Sequence, residues 1–333
     1  MPKVSIVIPT YKAEKYIERC VRSLFEQTLD SIEYIFIDDC SPDNSIAVMQ
    51  KVLEEYPQRK DQVKVIRHEV NQGVGAARNH GVAACTGDYI IHCDPDDWVD
   101  INMYEAMYNK AIETNADMVY CDFYIAKDFQ NYYPQKQSAC VQGTDMIRGI
   151  LLGSCHGGLG NKLYKKVIAT KKIYAPEDII MCEDVLRNVQ MLAQKISIVH
   201  LPQSFYYYFV NSFSITQVRD IKCFKSEKKV VDFIEKNIIP VYNCQASLNT
   251  YKRRILRDAI IFNHIAKKEF KTLWQDAQKE LFTHIKLADP LSTKIILIIG
   301  CCSIRTASAF YHTLYKLKIL AKSFFLCLRK KQI

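Results

Sequence analysis

Three things are scarce in this 333-residue chain, and each scarcity closes off a class of protein. There is no apolar run long enough to span a bilayer, which takes about 20 residues. The strongest run, Ile295 to Ile299, extended by Gly300-Cys301-Cys302, falls far short of that. No C-x-x-C pair occurs among the 13 cysteines, an odd number scattered without metal-ligand spacing. They read as reduced thiols of a cytoplasmic protein rather than a disulfide framework or a zinc site. Glycine is missing from the turn after the first strand-like run, Pro9-Thr10-Tyr11-Lys12. A dinucleotide-binding fingerprint belongs at that turn, so a dehydrogenase-type domain is excluded by position, and Gly73 and Gly75 come too late to supply it. The opening MPKVSIVIPT goes straight into a strand, unlike a signal peptide.

The charge is unevenly placed. The net +9 divides into +12 on residues 251–333, from 17 Lys or Arg against 5 Asp or Glu, and −3 on residues 1–250. Any anionic surface is therefore met by the C-terminal quarter. There Ala307, Phe310, Leu314, Leu317, Ala321, Phe324 and Leu328 recur at three- and four-residue steps, interleaved with lysines. Such a basic amphipathic helix either lies on an anionic membrane surface or packs on the domain with a solvated basic face. No recognised nucleic-acid module accompanies the charge, so nucleic acid is not expected as a partner.

Short β-branched runs alternate with helical patterns through the first 125 residues. Val4–Ile8, Glu33–Ile37, Val63–Ile66, Tyr89–Ile91 and Asp117–Phe123 read as strands. Ala13–Gln27, a segment from Ser41-Pro42-Asp43 toward Tyr56, Val74–Ala84 and Ile101–Thr114 read as helices. That alternation predicts an α/β fold, a Rossmann-like, mostly parallel sheet covered on both faces. In such sheets ligands bind beyond the carboxyl ends of the strands. Polar chemistry collects at four of those ends: Thr10-Tyr11, Asp38-Asp39, Asn71 to Asn79, and Asp94-Pro95-Asp96-Asp97.

The last of these is the most demanding. Three carboxylates in four residues after a buried strand call for a divalent cation on hard oxygen ligands, Mn2+ or Mg2+, or else form a solvated acidic turn in which Asp97 caps a helix.

Taken in order, these motifs resemble those of the family 2 glycosyltransferases, closely over residues 3–125 and more loosely to about 216. The resemblance implies the GT-A fold and an inverting, nucleotide-sugar-dependent enzyme of surface-polysaccharide biosynthesis. Pro9-Thr10-Tyr11 matches the opening P-x-Y, implying that Tyr11 stacks on the donor base. Asp38-Asp39-Cys40-Ser41 matches D-D-x-S, implying that Asp39 accepts a hydrogen bond from the base and favours a UDP-sugar. Asn71 to Gly81 matches N-x-G-x-x-x-A-R-N-x-G, in which Arg78 faces the diphosphate or the Asp94 region. Asp94-Pro95-Asp96 is the D-x-D motif, implying donor contacts from Asp94 and Asp96 and a metal on Asp96 or Asp97.

On the acceptor side, Asn161-Lys162-Leu163-Tyr164 resembles W-N-K-L-Y with Gly160 in place of the aromatic residue. Glu183-Asp184 matches the E-D motif of the general base, with Asp184 expected to serve and Glu183 the alternate; both also suit the start of a helix. Tyr206-Tyr207-Tyr208 and Ser214-Ile215-Thr216 resemble the family's closing stretch, without the arginine often found between them. No Q-x-x-R-W occurs, so a single transfer per binding event is expected rather than processive polymerisation.

The resulting expectation has three parts: residues 1–125 bind the nucleotide-sugar, residues 126–217 face the acceptor, and residues 218–333 form a helical basic extension that associates with membrane. The acceptor would be a hydroxyl of a glycan or lipid-linked glycan, and the location cytoplasmic, peripheral on the inner face of the inner membrane. Two other classes compete: a nucleotidyltransferase with a similar sheet, which should show a glycine- and basic-rich loop after its first strand, and a non-catalytic sugar-nucleotide-binding protein.

Overall fold

A computed structural model describes residues 1–171, 173, 176, 179–210, 219–283 and 289–316. The first half alternates as anticipated: β1 (Val4–Thr10), α1 (Ile17–Phe25), β2 (Ile32–Asp38), α2 (Ser45–Glu54), β3 (Val63–Arg67), α3 (Val74–Ala84) and β4 (Tyr89–His92). A short β5 (Trp98–Val99), α4 (Met103–Thr114), β6 (Met118–Ala126), β7 (Tyr132–Gln135) and α5 (Gly143–Leu152) follow. Then come β8 (Lys162–Lys165), α6 (Lys166–Ala169), α7 (Glu183–Leu192) and the long β9 (Ile198–Phe209). Helices α8 (Ile221–Asn237), α9 (Gln245–Ile261), α10 (Lys267–Thr272), α11 (Gln275–Thr283) and α12 (Leu291–Cys302) complete the labelled elements, and residues 304–316 are also helical.

One nine-stranded sheet runs β3-β2-β1-β4-β8-β6-β9-β5, with β7 paired to β6. Strands β3, β2, β1 and β4 are mutually parallel, as are β6 and β9. Strand β8 enters antiparallel between β4 and β6, a direction that the periodicity of its four residues could not announce.

Alternate residues of the parallel strands feed two cores. Ile6, Ile8, Tyr34, Phe36 and Ile91 pack with α1, α2 and α4. Val7, Ile35, Ile37 and Ile90 pack on the other face, where the apolar cluster continues through α5, α7, α8, α9 and α12 as far as Ala307. Burial on both faces is why these strands read as unbroken apolar runs.

Helix α2 begins at Ser45, later than the Ser41-Pro42-Asp43 signal predicted. The reason is a hydrogen-bonded seam between two loops. Lys12 N–H donates to Ser41 Oγ at 2.9 Å, Ala13 N–H to Ser45 Oγ at 2.9 Å and Glu14 N–H to Asp43 Oδ2 at 3.0 Å. These side chains tie residues 41–43 to the neighbouring loop, and Asp43 Oδ1 accepts Ser45 N–H at 3.2 Å, so the helix begins only at Ser45. The same seam occupies the residues before Ile17, so α1 also starts later than Ala13.

All twelve described cysteines are free thiols. Among the described residues no helix is long and apolar enough to cross a membrane. Of the predicted amphipathic stripe, Ala307 is buried in the core while Phe310 and Leu314 are exposed; Leu317, Ala321, Phe324 and Leu328 lie outside the described residues.

Candidate active site

Strands β1, β2 and β4 end side by side, and their carboxyl ends open into a cleft of about 810 Å³ closed on the far side by the start of α7. Pro9 and Thr10 of β1, Tyr11 just after it, Asp39 after β2, Arg78 of α3, Asp94 and Asp96 after β4, and Glu183 and Asp184 of α7 all line it. The cleft thus gathers residues more than 170 positions apart in sequence. Asp97 does not line it.

Tyr11 is exposed on the cleft rim, with Lys12 Nζ 5.1 Å from its ring centroid, while Thr10 is buried and turns its hydroxyl to Ile8 O at 3.2 Å. Asp39 is buried and its carboxylate accepts four hydrogen bonds: from His68 Nδ1 at 2.7 Å, Asn71 Nδ2 at 2.9 Å, Gln72 N–H at 2.8 Å and Gly73 N–H at 2.8 Å. Its visible job is to pin the loop that leads into α3. That loop is where Gly73 adopts φ +87°, a conformation natural to glycine.

Arg78 is buried at the centre of the charge network. Its Nη2 donates to Asp94 Oδ1 at 2.6 Å and its Nη1 meets Glu183 Oε1. Burial alone would lower the affinity of this guanidinium for its proton, but Asp94 and Asp184 more than offset it, and the charge is held firmly. Glu183 is bound on its other oxygen by Arg187 Nε at 3.0 Å. Arg187 in turn reaches Gly75 O at 2.8 Å and Asn79 Oδ1 at 2.6 Å, tying α7 to α3. Burial, reinforced by Arg78, lowers Arg187 to a pKa of about 9.

The two acids of the E-D pair therefore differ sharply. Glu183 sits between two guanidinium groups. Asp184 accepts a hydrogen bond from Val185 N–H at 2.8 Å and has no ion-pair partner among the described residues. Burial raises its pKa above the ordinary carboxylate value, against the lowering effect of Arg78.

Asp97 is turned into the protein. It is 2 % exposed, one oxygen accepts Phe209 N–H at 2.7 Å, and the other accepts the hydroxyl of buried Tyr206. Burial, with Asp96 and Asp94 nearby, pushes its pKa well up. The D-P-D-D turn is clamped from outside by Arg19, which donates to Asp96 O and stacks 3.8 Å over the Trp98 ring.

Tyr206 also explains Gly160. A Cβ at residue 160 would stand 2.5 Å from Tyr206 Oη and closer still to two ring carbons. The aromatic residue absent from position 160 is excluded because the ring of Tyr206 already fills that space.

The neighbouring N-K-L-Y segment is a loop support. Buried Lys162 donates to His156 O at 2.8 Å, Gly158 O at 2.7 Å and Asn161 Oδ1 at 2.9 Å, and burial brings it down to about 8. Tyr164 Oη donates to Asn188 Oδ1, and Asn188 Nδ2 to Gly157 O. These bonds fix residues 156–158 against the cleft. Arg187, Asn188, His156 and Arg219 were not singled out from sequence; Arg187, four residues after Glu183 on one helix face, carried the clearest available signal.

The family model for glycosyl transferase family 2 matches residues 5–170. The chain belongs to this family. It is 32 % identical over 236 residues to EpsH, a putative glycosyltransferase of Bacillus subtilis (strain 168), an alignment covering 68 % of this chain and 66 % of that one. To EpsJ, an uncharacterized glycosyltransferase of the same organism, it is 31 % identical over 225 residues, covering 66 % and 64 %. The matched region spans just under two thirds of the length of these relatives. In fold the family 2 chain is similar to S. aureus TarS residues 1–349 in complex with UDP-GlcNAc, with a TM-score of 0.67, 18 % identity, and 93 % and 92 % of the two chains covered.

Proposed function

We propose that this chain transfers a single sugar, with inversion, from a UDP-sugar to a hydroxyl of a glycan or lipid-linked glycan during cell-surface polysaccharide synthesis. The observation that carries the reading is the cleft itself, where Tyr11, Asp39, Arg78, Asp94 and Asp96 share one cavity with Asp184. UDP as the nucleotide is supported by the fold-level likeness to a protein holding UDP-GlcNAc.

In this reading Tyr11 stacks on the base and the loop pinned by Asp39 borders it, Asp39 itself sharing an oxygen with a base N–H. Asp184 takes the proton from the acceptor hydroxyl as that oxygen attacks the anomeric carbon and the bond to the diphosphate breaks on the opposite face. A base must be ionised yet proton-hungry, and a buried carboxylate with a raised pKa meets that need. Glu183, neutralised by Arg78 and Arg187, positions Arg78 rather than acting as the base.

A divalent metal, Mn2+ or Mg2+, fits the cleft through Asp96 and the remaining oxygen of Asp94. Two carboxylates with substrate phosphates completing the shell are a usual Mg2+ arrangement. No group of three or more His, Cys, Asp or Glu among the described residues would hold a metal alone, so this site would be completed by the diphosphate. When bound, such an ion offsets the charge on the leaving diphosphate. Asp97, once a candidate for the same role, is better cast as the anchor that joins the metal-side turn to Tyr206 and Phe209.

Membrane contact at the cytoplasmic face of the inner membrane extends the same reading. Leu291, Ile298, Leu314 and Tyr315 are exposed, with Lys294, Arg305 and Lys316 on the same helical region. Apolar and basic side chains together suit an anionic lipid surface.

The test is Asp184→Asn. It should keep UDP-sugar binding while lowering transfer by about 10²–10⁴-fold, the usual contribution of a general base. A variant that transfers at the parent rate would remove Asp184 from the mechanism, and a parent protein that binds UDP-sugar without turnover would indicate a binding protein.

A further inference from the structure

A second cavity, of about 370 Å³, lies behind the acceptor edge of the cleft and shares His156, Gly157, Cys182, Val185 and Arg219 with it. Its outer wall comes from α9 of the C-terminal helices, through Tyr251, Arg254, Arg257 and Asp258. Four cationic side chains border it, Lys136, Arg219, Arg254 and Arg257, against two carboxylates, Glu227 and Asp258.

The carboxylates are already committed. Arg219 Nη1 is 3.0 Å from both Glu227 Oε1 and Asp258 Oδ2, and Arg257 Nε is 2.7 Å from Asp258 Oδ1. Those two pairs cancel, which leaves Lys136 and Arg254 as an excess of two positive charges among the described residues.

Arg254 is held in place rather than loosely exposed. Its Nη2 donates to Leu151 O at 2.6 Å at the end of α5, and its Nη1 lies where a Cβ on Gly153 would be, so only glycine leaves room for it. Its Nε is nevertheless buried without a hydrogen-bond partner among the described residues, as is His156 Nδ1, and the hydroxyl of buried Tyr251 has only the Cys182 thiol beside it. Two orphaned polar atoms and a hydroxyl facing only a weak thiol, on residues that line one cavity, need a ligand or carry a structural cost. Arginine N–H can only donate, and a tyrosine hydroxyl donates readily. The missing partner is therefore rich in acceptors and negatively charged.

We infer that this cavity is an acceptor subsite for an oxyanion, a phosphate or carboxylate carried by the sugar acceptor, read by Arg254 and Tyr251 with Lys136 at the rim. The inference rests on the glycosyltransferase reading above. It gives the C-terminal helices a part in choosing the acceptor, since α9 supplies Tyr251 and two of the four cationic side chains, Arg254 and Arg257. The planar guanidinium suits either oxyanion.

Calorimetric titration of the full chain tests this, with glucose, glucuronate and glucose 6-phosphate as probes, in the presence of saturating UDP so that the donor cleft is occupied. At least one anionic probe should bind about tenfold or more tightly than glucose, the worth of a hydrogen bond to a charged group. That preference should shrink as salt rises. Preference for glucose 6-phosphate assigns a phosphorylated acceptor, and preference for glucuronate a uronic acid.

Arg254→Gln and, separately, Tyr251→Phe should each weaken the anion and leave the weak glucose affinity alone. The second variant removes one hydroxyl and no charge, so it reads the subsite even if Arg254→Gln disturbs the end of α5. Equal binding of all three probes, or anion binding unaltered in both variants, overturns the inference. Repeating the titrations without UDP separates the two levels. UDP that fails to bind counts against the donor reading, whereas UDP that binds beside anions that do not counts against the subsite alone.

Discussion

Replacing Gly160 with alanine should damage the protein far more than one added methyl group suggests. The new Cβ would stand 2.5 Å from Tyr206 Oη and nearer to the ring, so the ring must withdraw by roughly 1 Å to reach an ordinary contact of about 3.5 Å. It has nowhere open to go, being 2 % exposed and hydrogen-bonded to Asp97, which is itself 2 % exposed. Overpacking a filled core costs about 1–3 kcal/mol. Stranding a buried carboxyl oxygen costs about 1–3 kcal/mol more. At about 2–4 °C per kcal/mol for a domain of 150–250 residues, the combined loss of ~2–6 kcal/mol lowers the unfolding midpoint by roughly 4–24 °C. Differential scanning fluorimetry on the parent, Gly160→Ala, Tyr206→Leu and the double variant measures it. Because the smaller leucine gives the methyl group room, the two substitutions should be markedly less than additive. A Gly160→Ala protein melting within 2 °C of the parent, or strictly additive effects, would refute this account of the missing aromatic residue.

Other outcomes follow from the charges in the cleft. Arg78→Met leaves Glu183 and Asp94 facing each other without their shared cation, which should cost about 3–5 kcal/mol by chemical denaturation and abolish transfer. Since the pKa of Asp184 is raised on folding, its stabilising contribution is present below the unfolded value and is lost as pH rises through the folded one. Asp184→Asn should accordingly melt higher than the parent at neutral pH, with the gain vanishing toward pH 4, and the parent's acidic rate limb should lie above the ordinary carboxylate range; a gain that persists at low pH would contradict this. Asp96→Ala should weaken metal-dependent UDP binding in calorimetry. Asp97→Asn should mainly lower the melting temperature, and an equal loss of metal response in both would return Asp97 to the metal.

Much of this site is legible in the sequence because it is local. Strands β1, β2 and β4 carry their signals in unbroken apolar runs, Val74–Ala84 is helical over the predicted bounds, and each motif at a strand end needs only its neighbours to be noticed. What escaped depends on distant partners. Asp97 sits in the same run of carboxylates as Asp96, and only Tyr206 and Phe209, more than a hundred residues later, turn it inward. Gly160 looked like a gap in a motif until the ring occupying that gap was in view. The motif puts Asp184 first and Glu183 second as the base, but the physical difference between them, two arginines from different helices that hold Glu183, is not written in the motif. The C-terminal helices showed their charge but not that α9 would wall a cavity beside the cleft.

The most direct test of the central claim is a screen of UDP-, GDP-, TDP- and CMP-sugars for binding and slow hydrolysis, with and without Mn2+, on the parent and Asp96→Ala. The account predicts that a UDP-sugar is bound and hydrolysed in a metal-dependent way and that the variant loses this. No interaction with any nucleotide-sugar under either condition would contradict it and leave the carboxylates of the cleft a structural network.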